Sequence, residues 1–416
     1  MGSLFTIAKI LKKRRKGMNI EKESSHFSEM DNNHGFFPIR TVIILALTTL
    51  LSSLTGTFMM AGLFDATIVT SWISCVLCAM VMFITSKKIF HAVLKTMALG
   101  LTISLFGYPI IPALIFGGII SVGAFSTLVC SAKRIGILLP ILLPVVAYAI
   151  ALAVTSDPVI SLIAPVIYMP SALMGIATRR KAGMTTATLI CASAIFAITV
   201  GVAALGLYYY YGSVSQSAAE SFTSDATNFV INYYQESFNA IDGLEFSNEM
   251  RQLVILAVNV YVNSAVGLAM AVCASVAFIA LKTQHKLLEA YGLDEHLSPE
   301  ATTLTVSVAA AFIFAIAFIM SFSLDSFNQS SIIAVVATNI CIALTPAFFM
   351  MSLKAARALP QRLGVIGLLL SISLTFIVMF FFTASPFILP LVGAIYVILG
   401  AVDTWAKEFY GKGDKK

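Results

Sequence analysis

The sequence predicts an all-α, polytopic transmembrane helix bundle of about 12 spans, with N and C termini cytoplasmic. Three observations predict it. Of the 416 residues, 59% are hydrophobic and only 11% charged, where soluble domains run near 25% charged. Apolar runs of 18 residues or more recur along the chain, each long enough to cross about 30 Å of hydrocarbon. The lysines and arginines fall in short clusters between those runs, which is how membrane topology is encoded. The net charge of +6 is therefore a topology signal, and no nucleic-acid partner is expected.

Residues 1–40 read as a basic, polar cytoplasmic tail. The apolar stretch Phe5 to Leu11 precedes Lys12, Lys13, Arg14, Arg15 and Lys16, the reverse of the order in a secretory signal. Such a cluster suits an anionic inner leaflet. From Thr41 onward the expected spans run roughly 41–63, 67–86, 92–108, 110–131, 135–155, 158–177, 184–209, 252–281, 301–323, 331–353, 363–384 and 386–402. The first seven make one bundle, 41–209. Its third and fourth spans are separated only by Gly107, Pro109 and Pro112, so they read as two short helices or as a broken, partly re-entrant element. Pro140, Pro144, Pro165 and Pro170 add kinks to the fifth and sixth.

Residues 210–250 read as the one long extracytoplasmic loop. It follows Tyr208 to Tyr211, an interfacial aromatic belt. Phe222, Phe229, Tyr233 and Ile241 recur at helix-like spacing, so an amphipathic helix fits part of it, as a lid or as a cap on the bundle. A second bundle of about five spans occupies 251–403, and 404–416 form a cytoplasmic tail. With the N-terminus inside, 25 of the 26 lysines and arginines lie on the inner side, leaving only Arg251 outside. The short outer turns carry Asp65, Asp157 and Asp325, either a cation-attracting mouth or ordinary turn formers.

The chemistry of an enzyme is missing. There is no phosphate-binding lysine loop, zinc-binding helix motif or nucleophile elbow. The five histidines lie in tails or inner loops, away from cysteines and carboxylates at metal-ligand spacing. No catalytic residue, metal or cofactor is expected. All six cysteines sit in or at the end of apolar segments, so a disulfide framework is not expected. The Cys75–Cys78 pair lies on a predicted membrane helix and reads as small buried residues.

Uncharged polar groups are the remaining signal. Gln252 to Leu281 is free of charge, and Asn259 and Asn263 fall four residues apart within it, on one helix face. Ser264 and Gly267 lie close to that face. Asn339 follows in the tenth span. Buried amides need partners. These three asparagines are therefore either interhelical links or the polar lining of a ligand-binding pocket.

The stretch Gly175-Ile176-Ala177-Thr178-Arg179-Arg180-Lys181 closes a helix ahead of the long outer loop, and Leu399-Gly400-Ala401-Val402-Asp403-Thr404-Trp405 lies near the end. With the long helix after the loop, these features resemble the YybS-like family of multi-pass bacterial membrane proteins of unknown function, over a little more than half of the chain. That family is distantly similar to the substrate-binding membrane components of energy-coupling vitamin transporters. The resemblance implies a small-molecule ligand and a separate cytoplasmic ATPase. The expected role is thus a non-enzymatic substrate-binding or permease-type transport component in the bacterial cytoplasmic membrane, surrounded by the lipid bilayer. The competing expectations are a scaffold in envelope assembly, division or sporulation with an envelope-protein partner, and an enzyme on a lipid-linked substrate.

Overall fold

A computed structural model describes residues 39–86, 89–132, 138–239, 246–290, 305–325, 332–355 and 387–410. Among these, the regular structure is entirely helical. Eight helices are long and apolar enough to cross a membrane: α1 (Ile39–Met60), α2 (Phe64–Ile84), α4 (Ile110–Cys130), α5 (Leu138–Thr155), α6 (Pro158–Arg179), α7 (Met184–Tyr211), α10 (Ala265–Ala290) and α12 (Ile332–Ala355). Three helices have shorter apolar stretches: α3 (Ile89–Phe106), α11 (Val308–Asp325) and α13 (Ile388–Tyr410). Two further helices, α8 (Gln216–Asn239) and α9 (Asn248–Asn263), fill most of the expected outer loop and the start of the eighth span. The chain is an all-α, multi-pass integral membrane protein. Residues 1–38 and 411–416 of the expected tails and the span at 363–384 lie outside the described residues, while α13 runs through 404–410 of the expected C-terminal tail.

The described residues form two compact units, one holding those up to 165 with 283–290, the other holding the rest. In the first unit α1 is the hub and packs against α2, α4 and α5. Its buried face is made largely of hydroxyls: Thr48, Thr49, Ser52, Ser53, Thr55 and Thr57, beside Leu45, Leu54 and Phe58. Most of these hydroxyls return a hydrogen bond to their own helix, as Thr48 does to the Ile44 carbonyl at 2.7 Å and Thr57 to the Ser53 carbonyl at 3.0 Å. That satisfies them without water. Gly107, at φ 68°, turns the chain from α3 into α4. Segment 92–131 is accordingly two helices, of 18 and 21 residues, each close to the hydrocarbon thickness at 1.5 Å per residue. Asp157 caps α6, its carboxylate accepting from the backbone N–H groups of Val159 (2.8 Å) and Ile160 (3.2 Å), with Pro158 at the first helical position.

In the second unit the end of α6 packs against α7, and α8 pairs with α9 as a helical hairpin. Tyr211, the last residue of α7, donates its hydroxyl to Asp225 of α8 at 2.8 Å. Ala311, Phe314 and Ala317 of α11, Ala337, Cys341 and Phe348 of α12, and Ala394 of α13 form one core. The Phe314 and Phe348 rings meet at 5.0 Å. All six cysteines are buried free thiols.

Candidate functional site

The uncharged stretch 252–281 is not one helix. Thirty residues of α-helix would run about 45 Å, half as long again as the hydrocarbon is thick. The helix breaks at Ser264, where φ and ψ are −95° and 0°. Before the break lies α9, which has no buried residue and is not among the membrane-length helices. After it lies α10, whose first charged residue is Lys282. Residues 265–281 give about 26 Å of charge-free helix, close to one hydrocarbon thickness. The eighth span therefore starts some dozen residues later than the charge pattern predicts, and Asn259 and Asn263 precede it on α9.

The joint is completed by another helix. In a regular helix the Gly267 N–H would donate to the Asn263 carbonyl. Here the side-chain amide of Asn339, on α12, stands between them. Its Oδ1 accepts from the Gly267 N–H at 2.6 Å, and its Nδ2 donates to the Asn263 carbonyl at 2.6 Å. The same Nδ2 donates to the Val335 carbonyl of α12 at 2.8 Å. The flanking backbone bonds run from the Ser264 N–H to the Val260 carbonyl at 3.0 Å and from the Leu268 N–H to the Ser264 carbonyl at 2.9 Å. One amide thus replaces one backbone bond and ties two helices together. Glycine at 267 is what lets α12 come so close. A Cβ there would stand 2.7 Å from the Asn339 carbonyl oxygen and 2.8 Å from its Cα.

The three asparagines are thereby placed. Asn339 has both sides of its amide engaged by backbone groups. Asn263 enters the joint through its carbonyl, while its side chain and that of Asn259 are exposed on α9. The structure joins Asn339 to Asn263 and leaves Asn259 a turn away. Nothing in the sequence marks Ser264 as the break. The length of the charge-free stretch was the available signal.

A second polar cluster lies inside the first unit and escapes sequence reading altogether. Ser52 of α1 and Ser74 of α2 share a hydrogen bond at 3.0 Å. Gly117 of α4 faces both: a Cβ there would meet their Oγ atoms at 2.9 and 3.0 Å. Gly117 ends a π-helical segment, Ala113–Gly117, just after Pro109 and Pro112. Such segments recur where helices serve functional sites. Three residues before Ser74, Ser71 is fully buried, and its hydroxyl has no hydrogen-bond partner among the described residues.

Comparison of the chain with family models, with curated proteins and with solved structures returns no match. The functional reading therefore rests on these geometries alone.

Proposed function

We propose that the protein is a non-enzymatic membrane component that binds a small molecule and admits it from the outer side, in the manner of a substrate-binding or permease-type transport protein. One observation carries the reading: the helix leading from α9 into the span at α10 is broken at Ser264, where the Asn339 amide bridges the Gly267 N–H and the Asn263 carbonyl. A helix that only anchors a chain gains nothing from such a break. In carriers, by contrast, broken helices expose backbone groups to solutes. The α8–α9 hairpin is the moving part of this proposal, a lid attached to α10 at Ser264 and to α7 through Tyr211 and Asp225. Asn259 and Asn263 are the amides that it presents. An ATPase pair as energy source, the twelve-span topology with both ends inside, and kinship with the YybS-like family belong to the same proposal.

The test is gentle purification in detergent, followed by mass spectrometry of bound small molecules and co-purifying proteins. A stoichiometric small molecule retained by the wild type, and lost in an Asn259→Leu/Asn263→Leu variant of unchanged elution profile, supports the reading. An envelope or division protein in its place, with no ligand and no ATPase, overturns it in favour of the scaffold.

A further inference from the structure

A cleft of about 490 Å³ opens in the first unit where α2 ends, α3 begins and α10 finishes. Ile84, Thr85 and Ser86 form one wall, His91 and Lys95 of α3 the second, and Lys286, Glu289 and Ala290 of α10 the third. Its size is that of a small-molecule site. Its charge is unbalanced, since two ammonium groups and an imidazole face a single carboxylate. The cation on α3 is held in place. Lys95 is half-buried and donates from Nζ to the Ser86 Oγ at 2.9 Å, while that hydroxyl in turn donates to the Met82 carbonyl at 2.7 Å. The two ammonium groups outnumber the one carboxylate, so the cleft keeps an excess positive charge that attracts a further anion.

The surroundings choose the anion. On the face of α3 next to His91 and Lys95, Phe90, Leu94, Met97, Leu101 and Leu105 follow one another, each at least half exposed. Their spacing of four, three, four and four residues places them on a single stripe of the helix. A soluble phosphate or carboxylate has no use for that stripe. An anionic phospholipid matches both parts: the phosphate fits between the lysines, and an acyl chain lies along the apolar track. The charge count assigns this end of α2, α3 and α10 to the cytoplasmic side, where anionic lipids concentrate and basic pockets between helices take up their headgroups.

We propose that this cleft is a binding site for one anionic phospholipid, with Lys95 and Lys286 holding the phosphate and Ser86 positioning Lys95. The test reconstitutes the full chain into nanodiscs of mixed phosphatidylglycerol and phosphatidylcholine, and reads the lipid retained after delipidation by native mass spectrometry. The wild type is expected to keep phosphatidylglycerol in preference to phosphatidylcholine. That preference should fall about fivefold for each lysine neutralised in Lys95→Gln and Lys286→Gln, and survive in Lys95→Arg/Lys286→Arg. Lys286 is exposed, so the Lys286→Gln variant alone carries the test if Lys95→Gln does not fold. Equal retention by wild type and variants overturns the proposal. So does a wild type that keeps no lipid and is instead stabilised by millimolar inorganic phosphate, which would make the ligand a soluble one.

Discussion

The buried face of α1 and the α9–α10 joint meet the same problem, polar groups within a membrane bundle, in opposite ways. Along α1, many hydroxyls each bond back to their own helix, and the pair Ser52 and Ser74 reaches across. At the α9–α10 joint, one amide on α12 provides both halves of the link. The first arrangement is distributed: each small side chain is satisfied locally, and the helices approach because serines, threonines and glycine are small. The second is concentrated: if Asn339 is removed, the cross-helix bond and the reason for the break go together. Distributed seams tolerate substitution, whereas a single joint does not.

The sharpest way to expose that difference is one methyl group placed in each region. Gly267→Ala pushes a Cβ against the backbone of Asn339, which cannot rotate away, so α12 must move. A loss of about 3 kcal/mol, near the top of the range for overpacking, is expected, read as a lowered midpoint in denaturant. Asn339→Leu comes next, at about 1–2 kcal/mol. It also changes geometry, because the Gly267 N–H becomes free to return to the Asn263 carbonyl and the break heals. Spin labels at Leu256 and Val272 should then move toward about 24 Å apart along the axis, the length of a straight helix of that span. An unchanged distance would show that the break belongs to Ser264 and not to Asn339.

Gly117→Ala is expected to cost less, about 1 kcal/mol. Its closest contacts would be the Oγ ends of Ser52 and Ser74, which can swing aside. If it proves as costly as Gly267→Ala, the contrast between the two regions fails. The smallest effect belongs to Ser71→Ala. Removing a buried hydroxyl that has no partner among the described residues leaves nothing unpaired, so stability should hold or rise slightly. A clear loss on thermal unfolding would reveal that Ser71 has a partner in the working protein.

Much of the fold was legible because its boundaries are written in residues with one physical meaning. Gly62 and Gly107 sit in the left-handed region at two turns, and Asp157 with Pro158 starts α6. Helix ends marked by charge, such as Arg179 at the close of α6, could be read with little help from tertiary structure. The break at Ser264 could not. Val262, Asn263, Ser264 and Ala265 read as continuous helix, and the amide that bridges their break lies 76 positions away. The seam in the first unit was hidden for a related reason. A threonine in an apolar run looks neutral until the helix it faces is known, and only the packing of α1 on α2 and α4 makes Ser52, Ser74 and Gly117 neighbours. Lys95 and Lys286 were both expected on the inner side, yet nothing in the linear order suggests that they share a cleft.

The reach of Asn339 also sets an order of events during synthesis. The joint cannot exist until the ribosome has added the residue that completes it, 76 positions after Asn263. At about 5–20 residues per second, this leaves roughly 4–15 s in which the Gly267 N–H and the Asn263 carbonyl have only each other. During that interval the stretch from α9 to α10 has no Asn339 to bridge it, and the joint is completed only when α12 arrives.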